Sequence, residues 1–400
     1  MEQQPTKRNH AIDALRVNAF GLLMLYHLGM GYVSDWGWHI KSTFLTDALH
    51  IPMLWSNQWR MSLLFLISGF ALAVMVQNKP IGLVIKQRFI VLGLPLLAGI
   101  FLWIVPQVYV ELAHQGALQN MGVGEFLIRY WHPLQDLPEG YGRLLPTTWT
   151  WNHLWFLPYV ISYCALYIFG VAVVSHIKRR FEFRLAHIKA PKPLGLALIF
   201  ILPCLVYWQI GAWLYQHFPT THAFYNDWFN HASYFWSFLI GAWLAHSPVL
   251  LKQLARYWLP ALILASAMFV MVVCLYTRAA FTDWHSHLQG LIWSSNRWLW
   301  QLAVIALAMR FVNDSPQWVI FFKPRIFCYY IFHQTWLVLT IYLLSPMRLG
   351  AFEAIYVLMI TAVSCEVSYQ LAVRLGRFGL ALGVVNGLRR LRTDIKGSNL

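Results

Sequence analysis

The chain has 400 residues, of which 59% are hydrophobic and 11% are charged. Soluble domains carry about 25% charged residues, so this composition excludes an ordinary soluble protein and predicts an all-α polytopic membrane protein. The net charge of +15 would suit a nucleic-acid-binding protein, but the basic residues fall in alternate predicted loops, as membrane topology requires. We therefore expect the lipid bilayer as the surrounding medium and no nucleic-acid partner.

About ten apolar runs of roughly 17–25 residues are long enough to span a bilayer. Placing the N-terminus in the cytoplasm puts most Lys and Arg residues on the inner side, so both termini are predicted to be cytoplasmic. The first run is too long for a cleavable signal peptide, so we expect it to remain as a helix. The predicted spans are centred near Phe20, Ser68, Ile100, Ser162, Pro203, Ile240, Phe269, Ile305, Trp336 and Val363.

The sequence predicts one transmembrane domain over residues 1–385 and a basic cytoplasmic tail over residues 386–400. The longest predicted loop runs from about Glu111 to Asn152 and is rich in Pro and Gly, so we expect loops and short helices there. The five cysteines are scattered through apolar runs and lack the spacing of a metal site or a disulfide. No metal site is predicted.

The first apolar run, Ala14–Val33, contains His27, and Arg16 lies eleven positions earlier. At about 100° per residue these two positions return to nearly the same helix face, about 16 Å apart along the axis. A neutral imidazole inside the membrane can act as a base, so the pair suits a long anionic ligand whose reactive end reaches a buried base. Asp13 can pair with Arg16, and the alternative is a simple ion pair that anchors the start of the helix.

A small polar step follows in the second span, where Ser68 precedes Gly69. Small residues let a helix or a ligand approach the backbone closely, so the step serves either helix packing or substrate binding. Lys86 and Arg88 come next on the predicted inner side. They are candidates for phosphate binding, and the alternative is that they anchor the helix at the inner surface.

Four later polar or aromatic residues are also candidates. His153 and Trp155 open the fourth span at its predicted outer end, and His333 lies inside the ninth. His153 either binds an acceptor hydroxyl or is solvated, and a lone intramembrane histidine such as His333 is often a packing element. Glu366 in the tenth span needs a partner or a proton.

Taken in order, these residues resemble the acyltransferase-3 family of integral membrane proteins, and the similarity extends over nearly the whole chain. Trp38-His39, Trp59-Arg60-Met61 and the segment that begins at His153 look most like the branch that includes the periplasmic glucan succinyltransferases. The family motifs correspond to Arg8 with Asp13-Ala-Leu-Arg16, His27, Phe65-Leu-Ile-Ser68-Gly69-Phe70, Lys86-Gln-Arg88 through Gly93-Leu-Pro95, His153-Leu-Trp155-Phe156-Leu157, and Tyr330-Ile-Phe-His333.

The resemblance implies an enzyme of the bacterial inner membrane. It would transfer an acyl group, acetyl or succinyl, from cytoplasmic acyl-coenzyme A to a hydroxyl of an extracytoplasmic glycan such as a periplasmic glucan. Acyl-coenzyme A is then a co-substrate, and no cofactor is implied. The catalytic group would comprise His27, Arg16 and Asp13. The substrate-binding group would comprise Arg60, Ser68, Lys86, Arg88, His153, Trp155 and His333.

Within these groups the resemblance gives His27 the role of general base, or of the base that relays the acyl group. Arg16 would hold the donor phosphates or orient the site, and Arg60 is our candidate partner for the distal carboxylate of a succinyl donor. Two positions depart from the family pattern. Val91 stands where a second basic residue commonly follows Arg88, and Gln370 stands where the family has a carboxylate, one turn after Glu366.

Two other functions stay open from the sequence alone. A transporter or flippase for a small anion or a lipid-linked sugar is compatible with intramembrane His and Glu residues, although the chain has no detectable twofold repeat. A non-catalytic membrane subunit of a polysaccharide assembly complex is the second alternative. Turnover by the purified chain would separate both from the enzyme.

Overall fold

The computed structural model describes residues 9–118, 121–132, 149–181, 193–277 and 287–384. Within these ranges the chain is helical and has no β-strand, apart from one isolated parallel bridge between Val33 and Thr46. Arg8, the middle of the long predicted loop and the basic tail lie outside the described residues. The α-helices are α1 (His10–Met30), α2 (His50–Asn78), α3 (Ile81–Ala98), α4 (Val105–His114), α5 (Val123–Trp131), α6 (Phe156–Phe181), α7 (Pro193–Leu214), α8 (Trp228–Ala245), α9 (Pro248–Leu254), α10 (Trp258–Thr277), α11 (His287–Phe311), α12 (Gln317–Phe322), α13 (Ile326–Leu344) and α14 (Phe352–Arg374).

The predicted all-α membrane architecture is confirmed. Every predicted span centre falls in a helical segment, and α5 is a short helix of the kind expected in the long loop. Seven of the described helical segments are long and apolar enough to cross a membrane. The total of ten spans and the cytoplasmic termini stay predictions. The seven segments are Asp47–Asn78, Ile81–His114, Asn152–His176, Ala197–Leu214, Pro248–Thr277, Ile326–Met347 and Phe352–Arg374.

The chain forms two compact units. Unit 1 comprises Met1–Ala19, Leu54–Lys86 and Tyr159–Val319, and it contains most of α2 and α6 together with α7 to α11. Unit 2 comprises Phe20–Met53, Gln87–Pro158 and Ile320–Leu400, and it contains the second part of α1, most of α3, and α4, α5, α13 and α14.

Close packing of α2 on α8 organises unit 1. A Cβ atom at Gly69 would collide with the carbonyl oxygen of Phe238, and a Cβ atom at Gly241 would collide with that of Leu66. The two backbones therefore touch where each helix carries a glycine, as small residues allow in membrane helix pairs. The predicted packing role of the Ser68-Gly69 step is confirmed for Gly69. The hydroxyl of Ser68 donates to the carbonyl of Leu64 in its own helix, at 2.9 Å.

An interruption between α3 and α4 shapes unit 2. Pro95 lies inside α3, a π-helical segment follows at Gly99–Trp103, and Pro106 lies in the first turn of α4. Proline lacks a backbone N–H, so carbonyl groups near it lose their helical partners. Side chains satisfy carbonyls of the π-helical segment. The hydroxyl of Tyr130 donates to Ile100 at 2.8 Å and Trp131 Nε1 donates to Phe101 at 3.0 Å. Burial raises the pKa of Tyr130, which keeps this donor protonated.

Candidate functional site

His27 and His333 are in direct contact within unit 2. His27 lies in the last turn of α1 and is half-buried, whereas His333 on α13 is 1% exposed. The Nδ1 atom of His27 lies 2.8 Å from Nε2 of His333, and the two ring planes differ by only 3°. Phe20, two turns before His27, packs on the ring of Tyr330 with 5.2 Å between centroids. The second part of α1 is therefore held against α13 by an aromatic contact and a hydrogen bond.

The partners of His333 define which nitrogen of each ring carries a proton. His333 Nδ1 lies 2.8 Å from the carbonyl oxygen of Tyr330 and 3.2 Å from that of Tyr329. A carbonyl oxygen only accepts, so Nδ1 of His333 is the protonated nitrogen and Nε2 of the neutral ring accepts a hydrogen bond. That bond comes from Nδ1–H of His27, which places the basic lone pair of neutral His27 on Nε2.

His153 is the third histidine of this cluster. Its Nε2 donates to the carbonyl of Ile331 at 3.0 Å, and its backbone carbonyl accepts from the hydroxyl of Tyr330 at 2.8 Å. The ring of His153 meets that of His333 edge to face, with 5.1 Å between centroids. The Nδ1 atom of His153 is buried and has no hydrogen-bond partner among the described residues. Because Nε2 carries the proton, this Nδ1 is an acceptor aimed at no described donor.

The end of α1 behind His27 is held by Lys41. Its Nζ donates to the carbonyl of Met30 at 2.9 Å and also to the carbonyl of Val33. The last carbonyls of a helix have no partner within the helix, and a lysine is a favourable partner for them. Partial burial lowers the pKa of Lys41, and the nearby charge of Asp35 opposes this effect.

A chain of polar side chains begins beside the histidine cluster, at Gln334. The Nε2 atom of Gln334 donates to Nε2 of His39 at 2.9 Å, and Nδ1 of His39 donates to the Glu111 carboxylate at 2.7 Å. An amide nitrogen only donates, so Nε2 of His39 is unprotonated and its proton lies on Nδ1. Glu111 thereby holds His39 in one tautomer and orientation.

Gln107 joins this chain to two further elements. Its side chain is fully buried, its Nε2 donates to the hydroxyl of Thr335 at 2.6 Å, and its Oε1 accepts from Gln334 at 3.2 Å and from Asn152 at 3.4 Å. The hydroxyl of Thr335 donates onward to the carbonyl of Trp103 at 2.7 Å, in the π-helical segment. Asn152 has a φ of 40°, in the left-handed region that asparagine tolerates better than most residues. Gln107 thus connects α4 to α13 and to the turn that carries His153.

Glu366 has a partner, as its position in the sequence requires. Arg325 Nε donates to its Oε2 at 3.0 Å, Gln370 Nε2 donates to its Oε1 at 2.6 Å, and the hydroxyl of Tyr329 also binds it. The Arg325 guanidinium lies over the ring of Phe321, 3.9 Å from its centroid. Gln370 is therefore a hydrogen-bond donor to the carboxylate one turn earlier.

The remaining predicted site residues lie elsewhere in the chain. Asp13 and Arg16 are half-buried on the first part of α1, which belongs to unit 1, and α1 is continuous as the predicted spacing requires. The structure therefore brings together His27, His153 and His333, whereas the roles of all predicted site residues stay predictions. Of the others, Arg60 is 3% exposed on α2, Ser68 lies one turn of α2 beyond Leu64, Lys86 is exposed and Arg88 half-buried on α3, and Trp155 is half-buried beside His153.

One cluster with the composition of a metal site occurs among the described residues. Asp35, Asp47 and His50 bring three possible ligand atoms within 4.8 Å of one another, and both carboxylates are exposed. Exposed acidic groups commonly gather without a metal, so we assign no metal to this cluster.

The sequence interpretation missed Gln107, Gln334 and Thr335 and gave His39 no chemical role. A signal for two of them was present. Gln107 and Gln334 are long polar side chains inside apolar runs, where an unsatisfied amide is costly. Their mutual contact depends on how α4 crosses α13, which periodicity does not reveal.

Comparison with known proteins gives one match. The acyltransferase-3 family model, described as an acyltransferase domain, matches residues 9–369. No curated protein and no solved structure matches the chain. The matched range includes His27, His153 and His333 and covers nearly the whole chain.

Proposed function

The chain belongs to the acyltransferase-3 family and is a membrane acyltransferase, and we propose that it transfers an acetyl or succinyl group from cytoplasmic acyl-coenzyme A to a hydroxyl of an extracytoplasmic glycan. The observation that carries this proposal is the hydrogen bond from His27 Nδ1 to His333 Nε2. It fixes an imidazole in the tautomer and orientation that a general base requires.

In the proposed reaction, His27 Nε2 removes the proton from the acceptor hydroxyl while the hydroxyl oxygen attacks the thioester carbonyl carbon. The C–S bond then breaks, and the coenzyme A thiolate leaves and takes the proton back from the imidazolium. The products are the glycan ester and free coenzyme A. A positioned base contributes about 10²–10⁴-fold to such a reaction. A relay in which His27 first accepts the acyl group gives the same products.

His333 acts in this proposal as a positioning residue. It accepts from His27 and is itself held by the carbonyls of Tyr329 and Tyr330. When His27 takes a proton on Nε2, the positive charge on its ring strengthens the existing bond from Nδ1 to His333. The arrangement therefore favours the protonated intermediate without another proton transfer.

The glycan acceptor is assigned to the turn that carries His153 and Trp155. The buried Nδ1 of His153 can accept a hydrogen bond from a sugar hydroxyl, and an indole ring such as that of Trp155 offers an apolar face to a sugar ring. This assignment explains why a buried polar atom is left without a partner among the described residues.

The donor is assigned to basic residues on the predicted inner side. Coenzyme A is polyanionic, and the family resemblance makes Arg16, Lys86 and Arg88 candidate cations for its phosphates. We further propose that the protein lies in a bacterial inner membrane, as the charge bias of its loops suggests. Membership of an acyltransferase family favours this function over the transporter or flippase and over the non-catalytic subunit.

The experiment that tests the proposal measures free thiol released by the purified full chain in lipid nanodiscs. Acetyl- or succinyl-coenzyme A serves as donor, with and without a glucan, and ester formation on the glucan is followed by mass spectrometry. The variant is His27→Ala. The matched control is His217→Ala, since His217 is exposed and contacts the carbonyl of Trp213 and the ring of Phe218 in its own chain segment.

We expect thiol release that requires the glucan, survives in His217→Ala and disappears in a folded His27→Ala protein. The donor that supports turnover identifies the acyl group. Acyl transfer that is unchanged in folded His27→Ala would overturn the assigned base. Movement of labelled substrate into sealed proteoliposomes that contain the same protein, without any coenzyme A release, would favour the transporter.

A further inference from the structure

Arg297 is a charged residue near the middle of α11 without a charged partner in the described part of the chain. Its guanidinium carbon lies 5.6 Å from the ring centroids of both Tyr207 and Phe229, and no described carboxylate lies within ion-pair distance of it. Arginine stays protonated in proteins, and charged groups inside a membrane protein almost always pair. Aromatic faces stabilise a cation only in part, so this guanidinium is suited to an anion that is not part of the described chain.

A second arginine lies at the same helix junction. Arg60 on α2 is 3% exposed, and the charges of Arg60 and Arg297 both act on the hydroxyl of Tyr234. The ring of Trp59 stacks on that of Trp300, with 6.2 Å between centroids and 19° between planes. Trp59 precedes Arg60, and Trp300 follows Arg297 by one helical turn, so the stacked rings bring the two arginine-bearing segments together.

The charge of Asp227 also acts on the hydroxyl of Tyr234, but this carboxylate already has hydrogen-bond partners. Asp227 is fully buried, and its carboxylate accepts hydrogen bonds from Tyr159 at 2.6 Å, the backbone of Thr221 at 3.0 Å and Asn230 at 3.0 Å. Other donors therefore already hold the carboxylate that acts on this hydroxyl, and no ion pair joins it to Arg297 in the described part of the chain.

Buried polar atoms without partners accompany Arg297 on α11. Asn296 lies four positions before Trp300, and Arg297 lies four positions before Gln301, so these residues share one side of the helix. Asn296 is fully buried, and neither its Oδ1 nor its Nδ2 has a hydrogen-bond partner among the described residues. Trp300 Nε1 and Gln301 Oε1 are likewise without partners in that part of the chain. Buried polar atoms are nearly always satisfied, so the two donors of this group, Asn296 Nδ2 and Trp300 Nε1, indicate a bound molecule that accepts hydrogen bonds.

We propose that the α2–α11 junction of unit 1 binds an oxyanion, a carboxylate or a phosphate, through Arg297 and Arg60, with Asn296 Nδ2 and Trp300 Nε1 as neutral donors. Guanidinium groups bind both anions through paired hydrogen bonds. The stacked Trp59 and Trp300 rings give an organic anion an apolar surface beside its charged group. All residues of this site belong to unit 1, so its test is ligand binding and not turnover.

The test measures thermal unfolding of the full chain by intrinsic tryptophan fluorescence. The protein is placed in nanodiscs of zwitterionic lipid and titrated with succinate or with inorganic phosphate, against chloride at equal ionic strength. A third sample contains phosphatidylglycerol in the nanodisc, which distinguishes a lipid phosphate from a free one. The variants are Arg297→Gln and Asn296→Leu. The matched control is Arg310→Gln, an exposed arginine on the same helix.

We expect saturable stabilisation of the wild-type protein and of Arg310→Gln by at least one of the three probes. In Arg297→Gln the apparent affinity for that probe should fall roughly ten- to a hundred-fold, as expected for the loss of hydrogen bonds to a charged group. Without ligand, Arg297→Gln should be at least as stable as the wild type, because it removes a partly buried charge that has no charged partner in the described part of the chain. Asn296→Leu should also weaken binding while remaining folded.

Three results would overturn the proposal. The first is an equal response of the wild type and Arg297→Gln to every probe that stabilises either protein. The second is the absence of saturable stabilisation by all three probes in a folded wild-type sample. A large loss of stability in ligand-free Arg297→Gln, with anion binding retained by Asn296→Leu, would assign Arg297 to the fold instead.

Discussion

His333 accepts a hydrogen bond from His27 at 2.8 Å while its other ring nitrogen is held by carbonyls of its own helix. The carbonyl of Tyr330 lies in the preceding turn of α13, so helix geometry determines the tautomer of His333. The tautomer of His333 then determines that of His27. A residue in the middle of a helix thus controls which nitrogen of a neighbouring ring is basic.

We predict that His333→Leu lowers kcat by about 10–100-fold, because it removes the acceptor that orients His27. His333→Gln should retain more activity, since its side-chain oxygen can still accept from His27 Nδ1. Steady-state kinetics of thiol release over a range of pH measures both variants. For His333→Leu the acid limb of the pH–rate profile should move while KM for the acyl donor changes little.

The double variant distinguishes positioning from an independent role. If His333 acts only through His27, His27→Ala combined with His333→Leu should be no slower than His27→Ala alone. Additive losses in the double variant, or equal activity of His333→Leu and His333→Gln, would argue against positioning.

Gln107 should be more important for stability than its neutral side chain suggests. Gln107→Leu keeps the volume but removes three hydrogen bonds, to Thr335, Gln334 and Asn152. Leaving buried partners unsatisfied costs about 1–3 kcal/mol, so we expect a clearly lower unfolding temperature. The control Gln370→Leu alters an exposed glutamine with one side-chain bond and should change the temperature less. Equal shifts for the two variants would show that the Gln107 bonds add little.

The glycines at the α2–α8 contact should not tolerate a methyl group. Gly241→Ala places a Cβ against the backbone of Leu66, which cannot rotate away as a side chain can. We expect strain of the order of 1–3 kcal/mol or loss of folded protein. Gly93→Ala is the matched control, because a Cβ at this helical position meets nothing within 4 Å. Size-exclusion profiles and unfolding temperatures of both variants measure the difference, and normal behaviour of Gly241→Ala would contradict the contact.

The sequence predicts the helices of this protein, but not the side-chain contacts between distant helices. Apolar run lengths predict the helices, and continuity of α1 preserves the spacing between Arg16 and His27. The bond between His27 and His333 was not predictable, because those residues are 306 positions apart and meet only through packing of α1 on α13. The partner of Arg325 was not predictable either. Its position in the sequence indicates only a cation at the predicted inner side, and the packing of α13 on α14 pairs it with Glu366.

The Arg325–Glu366 pair should stabilise the α13–α14 contact by more than an exposed ion pair does. The two side chains are 17% and 33% exposed, and Arg325 also lies over the rings of Phe321 and Tyr369. Exposed pairs contribute about 0–1 kcal/mol, whereas removing one partner of a shielded pair leaves a charge without compensation. We therefore expect Arg325→Gln to lower stability more than the double variant Arg325→Gln with Glu366→Gln. A double-mutant cycle from unfolding temperatures measures this coupling, and additive effects of the two changes would show that the pair contributes nothing of its own. Arg325→Lys should also lower the unfolding temperature, but by less than Arg325→Gln. It keeps the positive charge, whereas its ammonium group lacks the planar surface that packs on Phe321.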